Sequence, residues 1–316
     1  MTVPTLLSAA DIRSVASWPL LVDAIRAGHK RPKASVGDSF VGGSGNTMLV
    51  RSAWIDGLAA GAKAATVVPK NLDRAEPLPS IHAQVLLFSH ETGQLTATLD
   101  GTEVTRWKTA ADSALGSELL SREDSHTLLM VGAGAMAEPL VRAHSSVRPS
   151  IDRVLLWNRT AQKAQYLAQQ LSDLDCRIEV VDDLSAATGE ADIVCCATMS
   201  SDPVLSGADL KPGCHVDLVG AYKANMREAD DAVHERGRWF VDSRDTTICH
   251  IGELMIPIAE GTITADAVIG DLHDLVDGRS GRESDEDITV FKNGGGAHLD
   301  IMVSQALLEA YAAAHT

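Results

Sequence analysis

The sequence is poor in aromatic residues and has no long apolar run. Aromatic side chains make up 4% of the 316 residues, and no apolar run approaches the roughly 18–20 residues that a membrane-spanning helix needs. The amino terminus lacks a basic stretch followed by an apolar core, so we expect no signal peptide and a cytoplasmic protein. Hydrophobic residues nevertheless make up 45% of the chain, enough for two modest packed domains.

Cysteine and positive charge are also scarce. None of the five cysteines forms a CxxC pair or has a spacing typical of zinc ligands, so we predict no metal site. Cys195 and Cys196 lie in an apolar run, residues 191–199, that predicts a buried strand in which thiols act as small hydrophobic groups. The formal net charge of −16 argues against nucleic acid and anionic membranes as partners.

The first third of the chain predicts an α+β arrangement. Residues 8–30 have helical spacing of apolar side chains with Ser8 as N-cap. Strand-like runs follow at 46–54 and 57–69, and the runs 82–89 and 95–101 flank a turn that predicts a hairpin. Good helix formers then occupy residues 105–124.

From Thr127 onward, strands and helices alternate, which is typical of a parallel, doubly wound sheet. We therefore predict an α/β protein: a Rossmann dinucleotide-binding domain over residues 116–294, and a smaller α+β domain for substrate binding and dimerisation from residues 1–115 and 295–316. The last helix is expected to pack on that smaller domain.

A glycine motif opens the predicted Rossmann domain. The strand Leu128–Val131 runs into a GxGxxA turn formed by Gly132, Gly134 and Ala137, and a helix follows. Gly132 permits the tight turn, Gly134 permits close approach to a pyrophosphate, and Ala137 permits close helix packing. This context predicts a nicotinamide dinucleotide site that includes Ala135 and Met136.

The second predicted strand ends in Asn158, Arg159 and Thr160. Sites that prefer NAD usually carry an acid here, which would repel a 2′-phosphate, whereas a cation with two hydrogen-bonding neighbours suits that phosphate. We therefore predict NADP(H) as the preferred cofactor, with NAD(H) as the alternative. Thr198 and Val219, on later strand–loop segments, complete the predicted cofactor-binding set.

The order and spacing of several segments resemble the ornithine cyclodeaminase/mu-crystallin family. The likeness covers nearly the whole chain and includes residues 61–71, 108–115, 128–137, 220–230 and 288–300. It implies two-domain homodimers with a Rossmann domain. Members of the family include ornithine and lysine cyclodeaminases, alanine dehydrogenases, ketimine reductases, iminosuccinate reductase and a thyroid-hormone-binding crystallin.

The resemblance also implies where the substrate binds. Lys63 matches the substrate lysine of the family, which would bind a carboxylate or protonate an imine nitrogen. Arg51 lies where similar members carry a carboxylate-binding arginine, and Lys108 stands where many members have arginine. His82 is either a further residue of this pocket or an ordinary core histidine.

Three positions near the ends of later segments complete the comparison with the family. Tyr222 replaces an aspartate that can activate water, and a phenol is a poor general base at neutral pH, which argues against cyclodeaminase activity. The glycine-rich run 293–296 is expected to bring backbone N–H groups, Gly295 among them, to the substrate or nicotinamide. Asp300 matches a family aspartate to which the sequence assigns no role.

These residues predict NAD(P)H-dependent reduction of an α-imino acid to an L-amino acid. The leading substrates are cyclic ketimines such as pyrroline-2-carboxylate and piperideine-2-carboxylate, bound by the cations Lys63, Arg51 and Lys108, with Lys63 or a water protonating the nitrogen. The alternatives are an iminosuccinate reductase or alanine dehydrogenase-like enzyme, an ornithine cyclodeaminase, and a non-catalytic NADPH-dependent binding protein.

Overall fold

The computed structural model describes residues 3–315 and divides into two units. The first unit comprises the described residues up to Thr109 and from Gly296 onward, and the second comprises Ala110–Gly295. The first division falls inside one long helix, Gly101–Leu120, in which the sequence placed the boundary at residue 115.

The first unit is built on a six-stranded sheet. Its elements are β1 (Thr5–Leu7), α1 (Ala9–Val15), α2 (Trp18–His29), β2 (Ser35–Gly43), β3 (Asn46–Ile55), β4 (Ala59–Val67), a 3-10 helix (Pro69–Asp73), β5 (Ile81–Phe88), β6 (Leu95–Asp100), the beginning of α3 (Gly101–Leu120) and the final helix α11 (Ala297–Ala314). The strand order is β1-β6-β5-β4-β3-β2. As expected, the last helix packs on this unit, against α2, β3 and β4.

Two details of the first unit differ from the sequence prediction. The single helix predicted over residues 8–30 is two helices, because Ala16 is extended and Ser17 begins a second helix whose first turn contains Pro19. Ser8 does cap the first helix, as predicted. Strand β2 was not predicted. All nine of its residues are exposed, and its sequence accordingly lacks the alternation of apolar and polar residues by which a half-buried strand is identified.

The second unit is a parallel, eight-stranded sheet with helices between the strands. Its elements are the end of α3, β7 (Thr127–Val131), α4 (Ala137–Val147), β8 (Arg153–Trp157), α5 (Ala161–Gln170), β9 (Arg177–Val180), α6 (Leu184–Glu190), β10 (Ile193–Cys196), a 3-10 helix (Gly207–Asp209), β11 (His215–Leu218), α7 (Asp231–Arg236), β12 (Gly237–Val241), α8 (Arg244–Thr247), α9 (Gly252–Glu260), a 3-10 helix (Ala265–Ala267), β13 (Val268–Asp271), α10 (Leu272–Val276) and β14 (Ile288–Lys292).

The strand order of this sheet is β13-β12-β14-β11-β10-β7-β8-β9. The chain moves outward in one direction from β7 to β9 and then returns to β10, so the strand order reverses between β7 and β10. In open parallel sheets, ligands bind in the crevice at the carboxyl ends of the strands on either side of this switch point. The predicted α/β class with a Rossmann unit is confirmed.

The central strands of the second unit are buried along their length. All residues of β10 and β11 are buried, including Cys195 and Cys196, because helices cover a parallel sheet on both faces. Cys249, in contrast, is exposed. Among the residues that the structure describes, no helix is both long enough and apolar enough to cross a membrane.

Candidate active site

The glycine turn after β7 has the shape that a bound pyrophosphate requires. Gly132 has φ of 108°, and a Cβ atom there would lie 2.6 Å from the carbonyl oxygen of Ala197, so only glycine fits. A Cβ on Gly134 would meet no atom within 4 Å, so the backbone at this exposed residue borders open space. Ala137 is fully buried where α4 begins. The exposed Ala135 and the N-cap residue Met136 connect this open turn to the helix.

A cavity of about 280 Å³ adjoins this turn. Its walls are the glycine turn, the end of β8 with the first turn of α5, and the residues that follow β10. An elongated phosphate-bearing ligand would therefore contact backbone on one side and the β8–α5 loop on the other. The residues present fit a dinucleotide at the site that the sequence predicts.

Asn158 connects two walls of this cavity. Its Oδ1 accepts a hydrogen bond from the Ala133 backbone N–H at 3.1 Å, and its Nδ2 donates to the Thr160 carbonyl at 2.9 Å. The sequence predicted that this amide would bind the cofactor directly. In the structure both ends of the amide hold the glycine turn against the β8–α5 loop, and Asn158 lines the cavity, so direct binding of the cofactor stays a prediction.

The cations at the same cavity are free to bind a ligand. Arg159 and Lys163 are exposed, and among residues 3–315 neither forms an ion pair with a carboxylate. Lys163, in the first turn of α5, was missed in the sequence, although it lines the same cavity as Arg159 in the loop before that helix. Thr160 is exposed and makes no capping hydrogen bond with its side chain.

The loops after β10 and β11 carry the other predicted cofactor residues. Thr198 donates from its backbone N–H and its hydroxyl to Oε1 of Glu228, at 2.7 and 2.8 Å. Val219 is half-buried, and its N–H donates to the Cys196 carbonyl at 2.8 Å. Glu228 was not singled out in the sequence, because a glutamate in a polar loop carries no signal that it will be buried.

Lys63 forms a buried ion pair in the first unit. Its Nζ lies 2.8 Å from Oδ1 of Asp300 on α11 and 3.2 Å from the Thr105 hydroxyl on α3. Lys63 and Asp300 are 8% and 1% exposed, so the pair is shielded from water. Oδ2 of Asp300 is buried and has no hydrogen-bond partner among the described residues. The structure therefore places the family aspartate directly beside the predicted catalytic lysine.

Arg51 lies beside Lys63 on the same face of the sheet. The two residues are directly opposite each other where β3 pairs with β4, so their side chains project from the same face. Nε of Arg51 also lies 3.0 Å from Oδ2 of Asp38, its register partner on β2. Two cations and two carboxylates thus alternate across neighbouring elements of the first unit.

Lys108 lies near Lys63, whereas His82 does not. Lys108 is buried on α3, one helical turn after Thr105, which contacts Lys63. His82 pairs with Thr66, three residues beyond Lys63 on β4, so it lies on the opposite face of the sheet. It is exposed, which makes both sequence interpretations of His82 wrong: it neither joins Lys63 nor lies in the core.

Two backbone N–H groups of the glycine-rich run before α11 are donated to a carboxylate of the chain. Gly294 and Gly295 donate their backbone N–H groups to Oδ2 of Asp242, at 3.1 and 2.6 Å. Gly295 is buried with φ of 68°, which explains the need for glycine. The prediction that its N–H reaches the substrate is therefore wrong. Tyr222 is 52% exposed, with Nζ of Lys223 5.2 Å from its ring centroid.

One buried cluster in the second unit has spacing that metal ligands also show. It consists of His144, Cys195 and Asp217. Asp217 accepts hydrogen bonds from the Cys195 thiol at 3.2 Å and lies 3.1 Å from Nε2 of His144. Burial raises the pKa of the Cys195 thiol well above its usual value, so the sulfur stays protonated and acts as a donor. The contacts are those of a hydrogen-bond network.

The fold and the glycine turn define a Rossmann-type dinucleotide-binding protein with a second, α+β unit that carries buried cations. The chain belongs to the ornithine cyclodeaminase/mu-crystallin family, whose model matches residues 36–314. It is 52% identical over 304 residues, 96% of both chains, to Delta(1)-pyrroline-2-carboxylate reductase of Paracoccus denitrificans. This similarity confirms the predicted enzyme class, an imine-reducing oxidoreductase.

Two solved structures are similar over nearly the whole chain. Delta(1)-pyrroline-2-carboxylate reductase of Thermococcus litoralis, in complex with NADH and L-proline, has a TM-score of 0.91 at 27% identity, with 99% of this chain and 98% of that chain covered. The iminosuccinate reductase of Paracoccus denitrificans, in complex with NAD+, has a TM-score of 0.90 at 27% identity, with 99% and 97% covered.

Proposed function

We propose that this protein reduces Δ1-pyrroline-2-carboxylate and related cyclic imino acids to L-amino acids, with NADP(H) preferred over NAD(H). The observation that carries the proposal is the buried pair Lys63–Asp300, beside Arg51 on one sheet face. Reduction of an α-imino acid requires a proton donor for the nitrogen and a cation that binds the carboxylate. Lys63 can supply the proton, and the neighbouring Arg51 can supply the cation.

The cofactor assignment rests on the glycine turn and the adjoining cavity. Gly134 leaves space for a pyrophosphate, and the start of α4 directs its N–H groups toward that space. Arg159 and Lys163 would hold a 2′-phosphate, since both are exposed and no carboxylate among residues 3–315 pairs with either. A bound nicotinamide supplies the hydride that adds to the imine carbon.

The substrate carboxylate is assigned to Arg51, with Lys108 as a second cation. The guanidinium of Arg51 matches a carboxylate with two parallel hydrogen bonds, and Asp38 orients it through Nε. Lys108 is buried on the helix that also carries Thr105, a contact of Lys63. With these assignments, both Arg51 and Lys108 would face the carboxylate end of the substrate.

Lys63 is assigned as the donor of the proton that the imine nitrogen receives. Reduction of a C=N bond needs a proton at nitrogen while hydride adds to carbon, and an ammonium group can donate it. Asp300 and Thr105 fix the direction of Nζ from two sides, so the donor is oriented before the substrate binds.

Reduction is favoured over cyclodeamination because of Tyr222. Cyclodeamination adds water to an iminium carbon, which calls for a general base, and a phenol in the place of the family aspartate is a poor one. A second candidate, iminosuccinate reduction, is favoured by the number of cations: Arg51, Lys63 and Lys108 are enough to bind two carboxylates.

A homodimer is proposed from the exposed face of the first unit's sheet. Met48, Trp54 and Leu86 lie on the face opposite Lys63 and are 40%, 45% and 36% exposed. Apolar side chains clustered on a sheet face are typical of an interface. Light scattering of the purified protein would show the dimer mass if this proposal holds and the monomer mass if it fails.

The function is tested by following NADPH and NADH oxidation at 340 nm with three imino acids. The substrates are pyrroline-2-carboxylate, piperideine-2-carboxylate and iminosuccinate, at matched concentrations. We expect fastest turnover of a cyclic imine with NADPH. Activity with iminosuccinate alone would select the second candidate. Ammonia release from ornithine without imine reduction would overturn the proposal in favour of a cyclodeaminase.

A further inference from the structure

Glu228 makes an unusual number of contacts for a loop residue. It is fully buried in the segment that follows β11, and its two oxygens accept four hydrogen bonds. Oε1 accepts the N–H and hydroxyl of Thr198, at 2.7 and 2.8 Å. Oε2 accepts the N–H groups of Gly220 and Ala221, at 2.6 and 3.2 Å. One carboxylate therefore holds the loop after β10 and the loop after β11 together.

The two loops are in direct backbone contact at this point. A Cβ atom on Gly220 would lie 2.0 Å from the Thr198 carbonyl oxygen and 2.5 Å from Oε1 of Glu228, so a side chain has no space there. Thr198 also borders the glycine turn, since a Cβ on Gly132 would lie 3.4 Å from its Cγ2. A displacement of Thr198 would therefore move a wall of the cofactor cavity.

Glu228 is itself fixed by a second buried carboxylate. Its backbone N–H donates to Oε2 of Glu253 at 2.7 Å, and the N–H of Ala229 donates to Oε1 at 3.1 Å. The Glu228 carbonyl in turn accepts the N–H groups of Val204 and Leu205. Because both its backbone and its side chain are anchored, Glu228 defines the position of the loops it binds.

The location of these loops in the sheet indicates which part of a dinucleotide they would face. Strands β10 and β11 lie on one side of the switch point, whereas β8, which carries Arg159, lies on the other. A dinucleotide bound across the switch point has its two halves on opposite sides. With Arg159 at the adenosine half, the loops held by Glu228 border the nicotinamide half.

We propose that Glu228 is a positioning residue that sets the placement of the nicotinamide half of the cofactor without touching the substrate. The proposal rests on the cofactor assignment made above. It predicts a selective effect: loss of the clamp should weaken binding of the whole cofactor and impair hydride transfer, while binding of an adenosine-side fragment is preserved.

The test compares Glu228→Gln with the matched control Asp192→Asn. Glutamine keeps the shape but has one oxygen, so its NH₂ group would face the N–H donors of one of the two loops, Thr198 in one orientation or Gly220 and Ala221 in the other. Asp192 also accepts two backbone N–H groups, from His126 and Thr127 at 2.8 and 2.9 Å, and pairs with Lys211, but its carboxylate lies at the amino ends of β7 and β10, opposite the carboxyl ends that border the cofactor cavity. The control therefore removes the same kind of contact away from the proposed site.

Dissociation constants are measured by fluorescence for NADPH and for 2′-phospho-ADP-ribose, which lacks nicotinamide. In Glu228→Gln we expect NADPH affinity to fall by about tenfold, the loss of one or two hydrogen bonds to a charged group, with fragment affinity unchanged. The deuterium isotope effect on imine reduction with C4-deuterated cofactor should rise, since hydride transfer becomes slower relative to other steps. Asp192→Asn should change none of these quantities.

Equal losses for NADPH and the fragment, or no loss of either, would overturn the positioning role. If Glu228→Gln does not fold, Thr198→Val removes the hydroxyl contact with Glu228, and the long contact from the Ser200 N–H, but keeps the Thr198 N–H contact, and it must show a smaller change in the same selective direction. If the unaltered protein binds neither NADPH nor NADH, the proposed function fails before any variant is compared.

Discussion

In the first unit, Lys63 and Arg51 are each held by a carboxylate, whereas in the second unit Arg159 and Lys163 are exposed and, among residues 3–315, unpaired with any. The paired cations lie on strands, and the unpaired ones lie in a loop and the first turn of a helix. Proton transfer and binding of a small carboxylate need oriented groups, whereas exposed cations are enough to bind a phosphate.

The largest effect is expected where the comparison is most extreme, at Lys63. Lys63→Met should lower kcat/KM for the cyclic imine by about 10³-fold, because the oriented proton donor is lost. NADPH binding, measured by fluorescence, should stay unchanged since the cofactor residues lie in the second unit. Lys70→Met, at an exposed lysine just beyond β4, is the matched control and should retain activity. A retained rate in Lys63→Met would remove the lysine from the chemistry.

The second prediction concerns Glu253, a buried carboxyl group that forms no ion pair within the described part of the chain. Burial raises the pKa of Glu253 from 4.5 to about 7. The charge of Lys292 opposes this shift, and the charge of Glu228 adds to it. The folded state therefore keeps a proton that the unfolded state releases as the pH rises above about 4.5. Stability is thus fully present below that pH and falls by about 3 kcal/mol as the pH rises through about 7.

Urea unfolding at pH 5 and pH 7.5 checks this prediction. Glu253→Gln cannot ionise, so its free energy of unfolding should lose this part of the pH dependence. The contribution of Glu253 is the difference between the two proteins in their change with pH. The same pH dependence in both would show that Glu253 does not titrate in this range.

A third prediction separates charge from geometry at the carboxylate site. Arg51→Lys keeps the positive charge but loses the fork that binds a carboxylate and the Nε contact with Asp38. We expect KM for the imino acid to rise by roughly 10- to 100-fold, since a bidentate charged contact contributes about 1.5–3 kcal/mol. The KM for NADPH should not change. An unaltered KM for the imino acid would assign carboxylate binding to Lys108 instead.

The smallest effect is expected for the exposed cations. Arg159→Ala should reduce the preference for NADPH over NADH by about tenfold, and Lys163→Ala by less, because solvent screens exposed charges. The ratio of kcat/KM values for the two cofactors measures this directly, and it should shrink further at high ionic strength. Lys211→Ala, at a lysine paired with Asp192 away from the cavity, serves as the control. An unchanged ratio would argue for NAD(H) as the natural cofactor.

Local patterns predicted the parts of the protein in which neighbours in sequence are neighbours in space. The glycine turn after β7, the hairpin of β5 and β6 and the cap at Ser8 each depend on a few adjacent residues. His82 was misassigned because its face relative to Lys63 depends on the register between β5 and β4, which no local pattern gives. Its pairing with Thr66 places it on the face opposite Lys63.

Long-range contacts were beyond such patterns. Lys63 and Asp300 are separated by 237 positions, and Thr198 and Glu228 by 30, so no local period relates them. The hydrogen bonds between Asn158 and Ala133 and between Gly295 and Asp242 could not be predicted for the same reason.

Periodicity and turn chemistry are local properties, so the sequence alone was enough to identify the Rossmann unit, the cofactor turn and the residue types available for imine chemistry. The carboxylate that holds Lys63, the face that His82 occupies and the loops that Glu228 joins became visible in the folded chain. These depend on strand register and helix packing, in which distant segments meet to satisfy buried polar groups.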